Sequence, residues 1–256
     1  MSLQLKLLLA ALLVFAAMAA GVLVLHGFRL ILPGLECGAW KVETLYNGSM
    51  PRSLSVDVDV ASVRIYYDPG APEARVVLWH SGGCVHGEAY ASGGELRVKV
   101  WDSCRMHVFD CSKARLTIIL PRPTLRRLSL VLDVGDAKVD DIAADTMILS
   151  VDVGNAVAYN VTVSEMLMAT ADVGRLALRS IHMPENATAR VSANVGSVEL
   201  YLERPGAWIE EVGGGSVAHV TYSSCKPARG PHIYVASNVG SVNIVCVNPE
   251  EPGGSA

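Results

Sequence analysis

The sequence is poor in charge. Asp, Glu, Lys and Arg make up only 18 % of its 256 residues, and the net charge is −4. No basic face with interleaved aromatics appears, so no nucleic-acid partner is expected. Gly-x-Ser-x-Gly, His-Glu-x-x-His and a phosphate-cradling glycine loop are all missing, which removes the common signatures of acyl-transfer, zinc-peptidase and nucleotide chemistry. Neither Cys-x-x-Cys nor the Gly-Gly-x-Gly-x-Asp nonapeptide of calcium-loaded β-rolls occurs, and no cysteine follows a lipobox-like pattern.

What the chain does contain is a phrase, [Asp/Asn]-Val-Gly-x-apolar, repeated through its second half. The copies centre on Gly135, Gly154, Gly174, Gly196, Gly215 and Gly240, at intervals of 19, 20, 22, 19 and 25 residues. A period near 20 residues predicts a stacked repeat, in which each unit buries its apolar face against its neighbours. Residues one, three, five and seven before each glycine are mostly apolar, as in Val134, Leu132, Leu130 and Leu128. Alternation of this kind predicts a strand with one buried face, with Val134, Val153, Val173 and Val195 in one buried column. Two residues after each glycine the side chain is again apolar. Four after, His219 is the one exception.

Each unit thus reads as strand, glycine corner, strand, and the fold class as all-β, a β-solenoid or β-helix-like repeat domain. The copy at Gly215 is the weakest, with Gly213 and Gly214 before it and Glu210 at a nominally inward position. A seventh copy lies near the front, with Ala61 in place of the glycine, and Gly94-Glu-Leu96-Arg-Val98 is half a copy. Residues 45–127 are expected to form an irregular β region and residues 128–247 the regular repeats. An antiparallel sandwich of evenly spaced hairpins is the alternative.

Residues 7–25 are apolar and uncharged, long enough to span about 28 Å as a helix. The expected organisation is a cytoplasmic stub at residues 1–6, a transmembrane helix and juxtamembrane segment at 7–32, and a frayed tail at 248–256. A cleaved signal peptide competes with the anchor, because Ala17-Met18-Ala19 offers a cleavage site. All six cysteines lie beyond the apolar segment: Cys37, Cys84, Cys104, Cys111, Cys225 and Cys246. Their even number fits disulfides outside the cytoplasm. Asn47, Asn160 and Asn186 open glycosylation sequons. The expected location is therefore the plasma membrane, single-pass, with the bulk of the protein extracellular.

Four sets of residues could carry chemistry. Asp59, Asp133, Asp152, Asp172, Asn194 and Asn238 each precede a corner by two residues. Asx-turns account for them, since Asn serves as well as Asp. A calcium ladder on Asp133, Asp152 and Asp172 is the sharper alternative, and the expectation is that no metal or other cofactor is bound. His80, Cys84, His86, Cys104, His107 and Cys111 could bind zinc or copper, but disulfides explain the cysteines more simply. Cys104 and Cys111 would close a hairpin between strands near residues 95–101 and 114–120, leaving Cys37 for Cys84. The four front cysteines allow three connectivities. Cys225 and Cys246, 21 residues apart, are expected to pair across neighbouring units. Asp133 and Asp152 could stand about 5 Å apart, the spacing of a retaining glycosidase pair. Their outward neighbours include no sugar-stacking aromatic, so no enzyme is expected. Arg122-Pro-Thr-Leu-Arg126-Arg127 reads as a solvated turn.

The phrases Asp-Val-Gly-Asp-Ala-Lys-Val, Asp-Val-Gly-Asn-Ala-Val-Ala, Asn-Val-Gly-Ser-Val-Glu-Leu and Asn-Val-Gly-Ser-Val-Asn-Ile resemble the putative adhesin family of bacterial and archaeal surface proteins. The resemblance spans about residues 53–247 and implies a β-solenoid-like domain at the cell surface, with no catalytic residues to carry over. The expected role is adhesive or structural, with the membrane and a surface polysaccharide or another envelope protein as partners. Two other classes remain: a sensor or regulatory subunit working through its anchor helix, and a polysaccharide-active enzyme.

Overall fold

A computed structural model describes residues 39–81, 83–103, 113–203, 206–223, 225 and 230–247. The apolar segment at 7–25, the stub, the tail, Cys37, Cys104, His107 and Cys111 lie outside the described residues. No helix among the described residues is long and apolar enough to cross a membrane.

The described chain is all-β. Its strands are β1 (Lys41–Gly48), β2 (Ser53–Tyr67), β3 (Ala74–Ser81), β4 (Val85–Ser92), β5 (Glu95–Asp102), β6 (Lys113–Leu120), β7 (Thr124–Asp140), β8 (Ala143–His182), β9 (Thr188–Leu202), β10 (Trp208–Ser223) and β11 (His232–Cys246). From β2 onward, neighbours pair in parallel and in register. Gly135 stands opposite Gly154, Gly174 opposite Gly196, and Gly196 opposite Gly240. Strands β1, β3 and β4 form antiparallel pairs at the front, β3 with β1 and β6, and β4 with β5.

The repeat pattern explains the stacking. Leu128, Leu130 and Leu132 are buried, as are Met147, Leu149 and Val151 one unit on, and Leu167, Ala169 and Ala171 after them. Beyond the corner, Ala137, Ala156, Leu176, Val198 and Val242 are buried too. These side chains belong to one continuous apolar cluster running from Leu54 to Cys246. Full burial of each Val or Leu is worth about 1.5–3 kcal/mol, and only the neighbouring units provide it.

The corner requires glycine for two reasons. Gly154 has φ +141°, a region side chains rarely adopt, and a Cβ there would overlap the carbonyl oxygen of Gly135. The same overlap, each with the corner before it, recurs at Gly135, Gly174, Gly196 and Gly240. Ala61 stands at the equivalent corner of β2, where among the described residues nothing pairs with it on the far side. Pairing of β2 with β5 ends at Val58–Val100, and pairing with β6 resumes at Ser62–Arg115.

Four expectations are corrected. First, Val134, Val153, Val173 and Val195 face solvent. The inward positions are three before and two after the glycine, and that odd spacing cannot lie on one unbroken alternation. The corner absorbs the extra residue, leaving both the Asp/Asn and the Val outside. Second, Ala218, not Gly215, stands opposite Gly240, with Val217 opposite Val239. The shift by three residues removes both misfits: Glu210 and His219 are exposed. Third, β5 and β6 are not a hairpin. Both run parallel to β2, end to end, so together they make one unit interrupted at its corner. Fourth, the last two units exchange order, with β11 between β9 and β10. Strand β11 brings Ile233, Val235, Val242 and Ile244 into the core, whereas β10 spends three consecutive positions on glycine and takes the edge, where burial matters less.

A disulfide joins Cys225 to Cys246 and ties the end of β10 to β11. Cys84 is also disulfide-bonded. A loop of this length is worth about 3 kcal/mol in the chain-entropy model. The double variant Cys225→Ser/Cys246→Ser should lose about that much in urea denaturation. An unchanged midpoint would mean that the β10 edge does not unfold with the rest.

Candidate functional site

The corners line up into a ridge. The valine before each corner is 37 % exposed at Val60, 43 % at Val134, 46 % at Val153, 48 % at Val173, 46 % at Val195 and 48 % at Val239. Adjacent strands lie about 4.8 Å apart, so the ridge is a row of apolar side chains on the order of 24 Å long. Along one side runs the second column: Asp59, Asp133, Asp152, Asp172, Asn194 and Asn238.

Among the described residues, the bonds that this column makes are not those of the expected Asx-turns. Asp59 accepts from the Asp102 N–H at 3.4 Å, and Asn238 Nδ2 donates to Asn194 Oδ1 of the neighbouring unit at 2.8 Å. The bonds run between units rather than back to the corner. The same holds beyond the corner, where Asn155 Nδ2 donates to Asp136 Oδ1 at 2.9 Å. An Asx bond of the expected kind does occur elsewhere, from the Gly70 N–H to Asp68. A second corner, six residues after the first, carries Asp141, Asn160 and Ser180 with φ near +50°. Asn160 Nδ2 there donates to Asp141 Oδ1 at 2.7 Å. Asp and Asn tolerate that backbone, which was a readable signal for this corner. Asn47, Asn160 and Asn186 are all exposed.

Partial desolvation and the charges of Asp152, Asp59 and Asp57 push the Asp133 carboxyl above its ordinary value of 3.8. The folded chain therefore binds this proton more tightly than the unfolded one. The associated stability is present below the ordinary value and is lost as pH rises through the folded one. Asp133→Asn should remove that loss, so its urea midpoint should gain on the parent from about pH 4 upward and then level off. A difference independent of pH would show that the corner acids do not sense one another.

Of the histidine and cysteine metal candidates only His80, Cys84 and His86 lie among the described residues. His80 is buried and lies 3.2 Å from Glu43, while His86 bonds the Ser103 hydroxyl at 3.0 Å and lies against Trp101. Among the described residues no group of three or more His, Cys, Asp or Glu could hold a metal ion.

One cluster was missed from the sequence. Arg126 and Arg127 belong to strand β7, not to a turn, and Arg52 and Arg97 join them around a cleft of about 570 Å³. Arg97 is bonded to Glu95 at 2.9 Å, which holds the Glu95 carboxyl below its usual value. No sequence spacing announces this cluster, because its members come from β5, β7 and the residue just before β2.

No protein-family model matches the sequence, and no curated protein matches it. Among solved structures, the chain is similar to a putative cell adhesion protein from Clostridium sporogenes ATCC 15579, at 13 % identity and a TM-score of 0.49, covering 81 % of this chain and 99 % of that one. It is also similar to a putative adhesin from Bacteroides fragilis NCTC 9343, at 16 % identity and a TM-score of 0.37, covering 82 % and 97 %. A putative lipid binding protein from Parabacteroides distasonis ATCC 8503 aligns at 12 % identity and a TM-score of 0.35, covering 81 % and 97 %.

Proposed function

We infer that the protein is a membrane-anchored, extracytoplasmic β-solenoid of the adhesin type, with a binding or structural role at the cell surface and no catalytic one. The observation that carries this is the ridge. Most aliphatic side chains of the stacked strands are buried or half-buried, yet the valines at six corners stand outside, in line, beside a column of acids and amides. Contiguous exposed apolar rows of this kind mark surfaces that meet a partner. Asp133 and Asp152 stand exposed on that ridge, where a substrate would gain little shelter from water. The apolar run at residues 7–25 supports the anchor, and the Cys225–Cys246 bridge suits an oxidising compartment.

Whole-cell labelling tests the location. A membrane-impermeant amine reagent should modify lysines of the β domain on intact cells, and the protein should sediment with membranes while retaining Met1. Labelling only after lysis would remove the surface reading, and an N-terminus near Ala20 would replace the anchor with secretion.

A further inference from the structure

The arginine cleft is assembled by register. Strands β5, β2 and β7 lie side by side, so Glu95, Ser53 and Arg127 form one row across them and Arg97, Ser55 and Ser129 the next. These rows face outward, because Leu54, Leu96 and Leu128 between them point into the core. The central strand carries only serines here and the flanking strands carry arginines. The result is a trough with hydroxyls on its floor and guanidinium groups on both walls, about two strand spacings or 10 Å wide.

The backbone closes one end. The Arg52 N–H donates to the Gly94 carbonyl at 2.7 Å, and the Arg126 N–H to the Arg52 carbonyl at 2.7 Å. Arg52 and Arg126 are thereby fixed at the mouth, next to the Gly93–Gly94 turn.

The charge is unusual for this molecule. Four arginines and one glutamate line the cleft of a chain whose net charge is −4. Glu95 is engaged by Arg97 and also feels the charge of Arg127, and among the described residues Arg52 and Arg126 make no ion pair with a carboxylate. Guanidinium groups that line one cleft favour an anion there, which accepts paired N–H bonds from their planar forks. Tyr90 adds an aromatic at the rim, half exposed, with its hydroxyl 3.5 Å from Arg97 Nη1. Guanidinium groups, hydroxyls and one exposed aromatic ring suit a sugar that carries an acid group.

We propose that this cleft binds an acidic polysaccharide through its carboxylate or sulfate groups. Arg52, Arg126 and Arg127 hold the anion, Ser53 and Ser55 meet ring hydroxyls, and Tyr90 receives a sugar face. A flat anionic surface or a nucleic-acid duplex fits less well. The next row pairs Asp57 with Lys99, and the acids Asp59 and Asp133 follow at the ridge, so a broad polyanion meets repulsion at the ridge where a single narrow chain does not. The inference deepens the surface-binding reading by naming a ligand class, but its test uses purified protein and does not depend on cellular location.

The experiment is titration calorimetry on the full chain in detergent, with oligogalacturonate and a heparin oligosaccharide as the carboxylate and sulfate probes. Neutral dextran, inorganic sulfate, phosphatidylglycerol vesicles and duplex DNA serve as comparisons. Binding of at least one acidic oligosaccharide is expected, falling with salt and weakened about tenfold or more in Arg52→Gln/Arg127→Gln. Arg179→Gln, in the part of β8 that pairs with β9, should leave it unchanged. Because these arginines are exposed, the variants should keep the parent's urea midpoint. No binding to either acidic oligosaccharide, binding insensitive to the double variant, or tighter binding to vesicles or DNA would each overturn the proposal. Failure here with surface labelling intact removes the cleft assignment alone, whereas binding by a protein that labels only after lysis removes the location alone.

Discussion

Gly154→Val is expected to destabilise the protein by more than about 3 kcal/mol, enough to prevent folding of a marginally stable domain. The new side chain would meet two obstacles at once. Its backbone would have to hold φ +141°, and its Cβ would overlap the Gly135 carbonyl oxygen, which is backbone and cannot swing aside. Relief requires separating two units and breaking the parallel pairing on both sides of the corner. Gly93→Asn is the matched control. Gly93 also has positive φ, at +61°, but an added Cβ there meets nothing within 4 Å, and Asn tolerates that region. Its effect should stay below about 1 kcal/mol. Equal effects in urea denaturation would mean that the corners do not stack.

The second large effect separates two valines only two residues apart. Val151 is 2 % exposed and Val153 is 46 % exposed. Val151→Asp buries an unpaired carboxylate among Leu132, Ala171 and their neighbours and should cost several kcal/mol. Val153→Asp places a charge in water beside Asp152 and should cost less than about 1 kcal/mol, all of it mutual repulsion that salt screens. The reverse ranking would restore the uninterrupted alternation that the sequence suggests.

That pair also shows where sequence reading stops. The buried columns before the corner, such as Leu128, Leu130 and Leu132, follow from alternation within one strand, and the columns after it follow likewise. The valine at the corner is β-branched and apolar, so composition places it inside. Only the odd count between Leu132 and Ala137 reveals that the alternation must slip. At β10 the motif misleads for a related reason. Gly215 falls at the repeat interval, whereas partner strand β11 selects Ala218 by register, and register between strands has no local signature. Loop-linked β5 and β6 look like a hairpin for the same reason, since nothing local shows that both prefer β2.

The candidate sites divide in the same way. The column of corner acids and amides was legible because six of the seven copies of the motif repeat it. The arginine cleft was not, because Arg52, Arg97 and Arg127 share no motif and meet only through the pairing of β5, β2 and β7. Those strands pair edge to edge through their main chains, with Leu54, Leu96 and Leu128 turned into the core, so the arginines are brought together on the opposite face by register.

The central claim is that the units stack in parallel, with each corner directly on the last. Nitroxide labels on the exposed ridge read this directly, because labelling there disturbs no core contact. With one label at Val134 and the second moved through Val153, Val173, Val195 and Val239, the distance should lengthen by about 4.8 Å at each step. The step from Val195 to Val239 should equal the others although 44 residues separate them in sequence, because β11 and not β10 follows β9. Distances that rise unevenly, or a Val239 label a full unit farther out than this series allows, would contradict the stacking.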